Sequence, residues 1–139
     1  MLEKDRTKGI LLFAHGSSAE EANRAVHELA RQIEALGPFS YVRAAFLERA
    51  RPDLGQAVTQ AVEAGLQRLI VIPYFLSMGI HLQRDLPNLI SALKQKYPEV
   101  TIEVGQALAG HPLLASIILG RVQEVMQATK PGQRADSRL

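Results

Sequence analysis

Three histidines and one glutamate stand where apolar runs stop. His15 ends "LLFAH", Glu48 follows "AFL", His81 follows "FLSMGI" and His111 ends "LAGH". Two neutral imidazoles and a carboxylate suit two kinds of chemistry. They bind divalent iron, cobalt, nickel or zinc. They also move protons near neutral pH, because an unperturbed imidazole titrates at about pH 6.5. Each residue has an ordinary use as well. His15 can bond to a loop carbonyl, His81 can start a helix, and His111, just before Pro112, can cap one. Glu48 can pair in water with Arg49 or Arg51, which contributes little to stability. The chemical reading gains weight only if these residues meet in one crevice. The fourth histidine, His27, falls on the polar side of a helical pattern and reads as surface.

The hydrophobic pattern says which elements must place them. Gly9 to Ala14 reads as a strand, and Ala22, Val26, Leu29, Ile33 and Leu36 recur at helical spacing. Ser18 with Glu21 reads as a capping box at the start of that helix, and Gly37-Pro38 as its end. Residues 40–47 form a second strand. Pro52 suits the first turn of a helix carrying Leu54, Val58, Ala61 and Val62, closed by Gly65. Residues 68–75 form a third strand. A third helix runs from about Asp85 towards Tyr97, carrying Leu86, Leu89, Ile90 and Leu93. Residues 100–104 alternate as a half-exposed strand. A fourth helix begins near Pro112 and carries Leu114, Ile117, Ile118, Val122 and Val125.

This β-α alternation predicts an α/β fold, an open parallel four-stranded sheet with helices on both faces. The first and third strands are almost wholly apolar and belong in the centre. Arg43, Thr101 and Glu103 mark the second and fourth as edges. Right-handed crossovers then favour the order 2-1-3-4. The carboxyl ends of the strands share one rim, where such sheets bind ligands. The loops there hold His15, Glu48, His81 and His111, whereas the opposite rim has no histidine. In that order His15 and His81 leave neighbouring strands.

Composition narrows the choices. The chain has 139 residues, which fits one domain over 1–128 with a polar, frayed tail over 129–139. Hydrophobic residues make up 47% and charged residues 22%, with a net charge of +2 and no basic patch, so nucleic-acid binding has no support. No long apolar run suggests a membrane span, and "MLEKDRTKG" lacks a secretory core. A cytoplasmic protein is expected. Without cysteine, metal ligands must be His, Asp, Glu or backbone. There is no GxGxxG after the first strand, no Walker A pattern and no GxSxG elbow. Ser17 and Ser18 can offer amides to an anion, but capping is the better reading.

Several stretches together carry a resemblance: "FAHGSS" with "AN" shortly after, "AFLERARPDL", "VIPYFLSMGIHLQRDLP" and "LAGHPLL". From Gly9 to Val125 the chain resembles the small, single-domain sirohydrochlorin chelatases, class II enzymes that insert cobalt, ferrous iron or nickel. The resemblance implies that His15 and His81 bind the incoming metal and that Glu48 is a third participant. It implies a homodimer, a tetrapyrrole substrate, and no cofactor beyond the substrate metal (Co2+, Fe2+ or Ni2+). Cobalt comes first from the family's commonest assignments, pointing to cobalamin synthesis, and iron second, pointing to siroheme. In such an enzyme Phe75, Leu76, Met78 and Ile80 can cover one face of the ring, or serve only core and dimer packing. Arg49, Arg51 and Arg84 can pair with the substrate's carboxylates, or simply face solvent. As the metal enters, two pyrrole protons leave, and an imidazole or Glu48 can accept one. A non-catalytic carrier of metal or tetrapyrrole is the alternative, and a chelatase for a less carboxylated porphyrin a third.

Overall fold

The computed structural model describes residues 3–128, and the expected frayed tail at 129–139 lies outside them. The described residues fall into two compact units, one ending at Ala107 and the other beginning at Leu108. The first holds β1 (Lys8–Ala14), α1 (Glu20–Leu36), β2 (Val42–Phe46), α2 (Leu54–Glu63), β3 (Arg68–Pro73), α3 (Ile80–Lys96) and β4 (Thr101–Val104). The sheet is all parallel with the order β2-β1-β3-β4, as the apolar patterning predicts.

Alternation along β1 builds two cores. Leu11 and Phe13 turn to one face, where Ala45, Leu69, Val71 and Ile102 join Leu54 and Val58 of α2 and Leu86 and Ile90 of α3. Leu12 and Ala14 turn to the other, with Ala44, Phe46 and Val26 of α1. Phe13, Phe46, Leu11, Leu69 and Val71 are fully buried. Burial of each such side chain stabilises the fold by about 1.5–3 kcal/mol. The edges are polar, as expected: Arg43 pairs with Glu34, and Arg68 of β3 pairs with Glu103 of β4. Because α1 and α3 pack on opposite faces, the loops leaving β1 and β3 part and open a crevice between them.

Helix starts differ from the sequence reading. The N-cap of α1 is Ala19 and makes no side-chain cap bond, so Ser18 and Glu21 form no capping box. Instead the Ser17 hydroxyl accepts from the Ala19 N–H at 3.0 Å. Pro52 stands before α2, whose N-cap is Asp53 in a capping box with Gln56. The largest difference is α3, which starts at Ile80 rather than near Asp85 and keeps Pro87 inside. His81 is therefore a first-turn helical residue.

The second unit holds α4 (Leu113–Ala128), with the expected Leu114, Ile117, Ile118, Val122 and Val125 along it. His111 Nδ1 accepts from the Leu113 N–H at 3.1 Å, so this histidine caps the helix. Among the described residues no helix is long and apolar enough to cross a membrane.

Candidate functional site

The site begins where β1 and β2 stop. Ala14 pairs with Phe46, and the ladder runs on past both strands. The Leu47 N–H donates to the Ala14 carbonyl at 2.9 Å, and the Glu48 N–H to the His15 carbonyl at 3.1 Å. This register brings His15 Nε2 to 3.8 Å from Glu48 Oε1. On the other side of the ring, Nδ1 lies 3.2 Å from the Gly16 carbonyl oxygen. A carbonyl only accepts, so this bond places the ring proton on Nδ1. Nε2 then turns a lone pair towards a carboxylate that also carries only lone pairs. A cation fits between them: a proton, making an imidazolium, or a metal ion bonded at about 2.0–2.2 Å to each. Both side chains are more than half exposed, so a cation reaches them from solvent. Glu48 was expected either to take part in chemistry or to pair with Arg49 or Arg51; its carboxylate instead faces the His15 ring.

His81 enters from the other loop. Gly79 is the N-cap of α3 and offers no capping side chain. Arg84 Nη2 lies 3.1 Å from His81 Nδ1. Since guanidinium only donates, the neutral His81 ring keeps its proton on Nε2. His15 and His81 line one cavity of about 350 Å3, with Phe75, Ile80, Leu82 and Asp85 also in its walls. The two histidines thus meet in one crevice, as the strand order predicts. Glu48 lines a neighbouring cavity with Arg49 and Arg51. No three His, Asp or Glu side chains among the described residues are grouped closely enough to hold a metal ion. The resting chain offers pairs rather than a closed cage.

Asp85 is absent from the sequence-based candidates. It lies one turn beyond His81, and i, i+4 spacing puts both on one face of α3. That signal is lost when the helix is started at Asp85 itself.

The apolar loop divides. Phe75 meets Phe13 edge-on at 5.8 Å and the His15 ring at 6.3 Å, tying the imidazole to the core. Met78 also packs inward, and it lines a separate apolar groove with Leu86 and Ile90 rather than the histidine cavity. Leu76 is 67% exposed and Ile80 79%. Arg49 has φ +64°, a left-handed conformation, and is exposed. His27 is not plain surface: it is half-buried and edge-on to Phe46 at 5.3 Å.

Known proteins share this architecture. The chain is 26% identical to a sirohydrochlorin cobaltochelatase of Methanopyrus kandleri, over 84% of this chain and 96% of that one. It is 27% identical to a chloroplastic sirohydrochlorin ferrochelatase of Arabidopsis thaliana, over 85% of this chain and 52% of that one. The crystal structure of a CbiX protein from Marinobacter aquaeolei superposes with a TM-score of 0.75 at 30% identity, covering 88% of this chain and 99% of that one. With the family pattern matched over residues 9–125, the chain belongs to the CbiX family.

Proposed function

We propose that the protein is a sirohydrochlorin chelatase, a lyase-type enzyme that inserts a divalent metal into the tetrapyrrole with release of two protons. One observation carries the reading. His15 Nε2 and Glu48 Oε1 face each other at 3.8 Å with the ring proton on the far nitrogen, at a cavity shared with His81. The relatives named above, cobaltochelatases and ferrochelatases, support the reaction class. Co2+ is the favoured substrate metal, Fe2+ the second, and Ni2+ the third. No further cofactor is needed. The working form is a cytoplasmic homodimer.

In this reading His15 and Glu48 take the hydrated ion, and His81 joins as the macrocycle arrives. Arg84 links the two events. It is bonded to His81 Nδ1, and a substrate carboxylate drawing it away frees that lone pair for the metal. Arg49 and Arg51 meet other carboxylates of the substrate. Phe75 and Ile80 give the ring an apolar wall, with exposed Leu76 beside them and Met78 behind. When the pyrrole nitrogens replace the protein ligands, the vacated His15–Glu48 pair accepts one of the two pyrrole protons and the other passes to solvent. Two weak points of attachment suit the task, because tight ground-state binding of the ion raises the barrier to its transfer.

The test is anaerobic metallation of sirohydrochlorin by Co2+, Fe2+ or Ni2+, followed by visible absorption. The wild type is expected to exceed the spontaneous rate, and His15→Ala/His81→Ala to fall to it. Binding of metal or ring by the wild type with no acceleration by any metal would instead make the protein a carrier.

A further inference from the structure

We infer that Asn23 is a positioning residue for His15, acting through the peptide that joins Gly16 to Ser17. The inference rests on the reading of His15 as a metal ligand.

Asn23 is 4% exposed, the one buried polar side chain among the described residues. Its Oδ1 accepts from the Ser17 N–H at 2.9 Å, and its Nδ2 donates to the Ser17 carbonyl at 2.8 Å. An N–H only donates and a carbonyl only accepts, so these partners fix which way the amide points. Asn23 thus pairs with Ser17 much as a neighbouring strand would, at a point where no strand runs.

The consequence reaches His15 through a rigid unit. The Ser17 N–H and the Gly16 carbonyl belong to one planar peptide. Asn23 holds the N–H edge of that plane, and the carbonyl edge meets His15 Nδ1 at 3.2 Å. Holding one edge aims the other. The ring proton is kept on Nδ1, and Nε2 is left open towards Glu48. The loop also rests against Glu48, whose N–H donates to the His15 carbonyl at 3.1 Å. Gly16 has φ +90°, and a Cβ there would stand 1.7 Å from the Glu48 carbonyl oxygen. The loop is therefore held by a buried amide at Ser17 and by the close approach of the neighbouring loop at Gly16. Groups that orient a metal-binding histidine through its second nitrogen commonly change metal affinity by about 10–100-fold when removed.

The test is a double-mutant cycle read by Co2+ binding, with no tetrapyrrole present. Asn23→Ala is expected to weaken Co2+ binding about tenfold in the wild type and to have no effect in the His15→Ala background. An unchanged affinity, or an equal loss in both backgrounds, overturns the inference. If His15→Ala alone leaves Co2+ binding intact, the ligand reading of His15 fails separately. A second measurement needs no variant. The 15N shifts of the neutral His15 ring in the wild type are expected to report the proton on Nδ1. A ring protonated on Nε2 overturns the inference even if Asn23→Ala does not fold.

Discussion

The loops after β1 and β3 each bring a histidine to the same cavity, and they hold it differently. In the first, the backbone ladder, Asn23 and the close approach of Gly16 to Glu48 fix the chain. In the second, Phe75 and Met78 pack inward and Gln83 Nε2 donates to the Met78 carbonyl at 2.8 Å. Between those anchors Leu76 and Ile80 stay exposed, and a Cβ on Gly79 would meet nothing within 4 Å. The ring nitrogens follow the same contrast. His15 has its outward nitrogen free, whereas His81 has one nitrogen protonated and the other bonded to Arg84. In the proposed chelatase, His15 would be the ligand that stands ready and His81 the one released on demand. For an ion that must be accepted and then surrendered, this division avoids a cage that binds too well.

The contrast can be broken at its strongest point first. His15→Ala is expected to slow metallation by about a hundredfold or more while keeping the fold, since the side chain is more than half exposed. His81→Ala should slow metallation too, yet leave Co2+ binding by the resting protein nearly intact. Equal losses of resting Co2+ affinity in the two variants would erase the distinction.

The backbone provides the next comparison. Gly16→Ala forces a side chain into a left-handed conformation and against the Glu48 carbonyl, at a cost of about 1–3 kcal/mol. Gly79→Ala meets open space and should cost under about 1 kcal/mol. Thermal unfolding of the two variants measures the difference, and similar midpoints would contradict it.

Arg84 gives a smaller effect of opposite sign. Arg84→Ala removes the bond to His81 Nδ1, so resting Co2+ affinity should rise by about fivefold, the scale of one hydrogen bond. Metallation of the carboxylate-rich ring should fall in the same variant. A drop in Co2+ affinity would mean that Arg84 supports the metal rather than withholding His81.

The smallest effect lies at the far edge of the sheet. The Arg68 guanidinium bonded to Glu103 holds that carboxyl below the usual carboxylate range. A carboxyl depressed in the folded state stabilises at pH values above its unfolded value, and the contribution disappears as pH falls through the folded one. Glu103→Gln should therefore melt slightly below the wild type at pH 7 and converge with it in acid. The pair is exposed, so the gap is small, and metallation should not change.

Much of the scaffold was legible because it depends on periodicity. The apolar first and third strands and the polar Arg43, Thr101 and Glu103 place the strands correctly without any tertiary information. The convergence of His15 and His81 followed from that order. Helix starts were less legible. Ser18 and Glu21 have capping-box spacing but do not cap, because the helix starts one residue later and Ala19 takes the N-cap position. Gly79 carries no side-chain signal, and the apolar periodicity that marks α3 begins only at Leu86, which put the expected start near Asp85. That shift hid Asp85 as a wall of the cavity. Asn23 is visible in the sequence as part of the quoted "AN", but its role was not legible. Its partner lies in a loop six residues back, and no periodic pattern encodes a side chain pairing with irregular backbone.

The most direct test of the account is the proton NMR spectrum of the Co2+-loaded protein in ordinary water. An imidazole bound through Nε2 keeps an exchangeable Nδ1–H, and its resonance is displaced far downfield by the paramagnetic ion. Such a resonance is expected in the wild type and in His27→Ala, and is expected to be lost in His15→Ala. A displaced imidazole N–H that persists unchanged in His15→Ala would place the metal elsewhere and contradict the account.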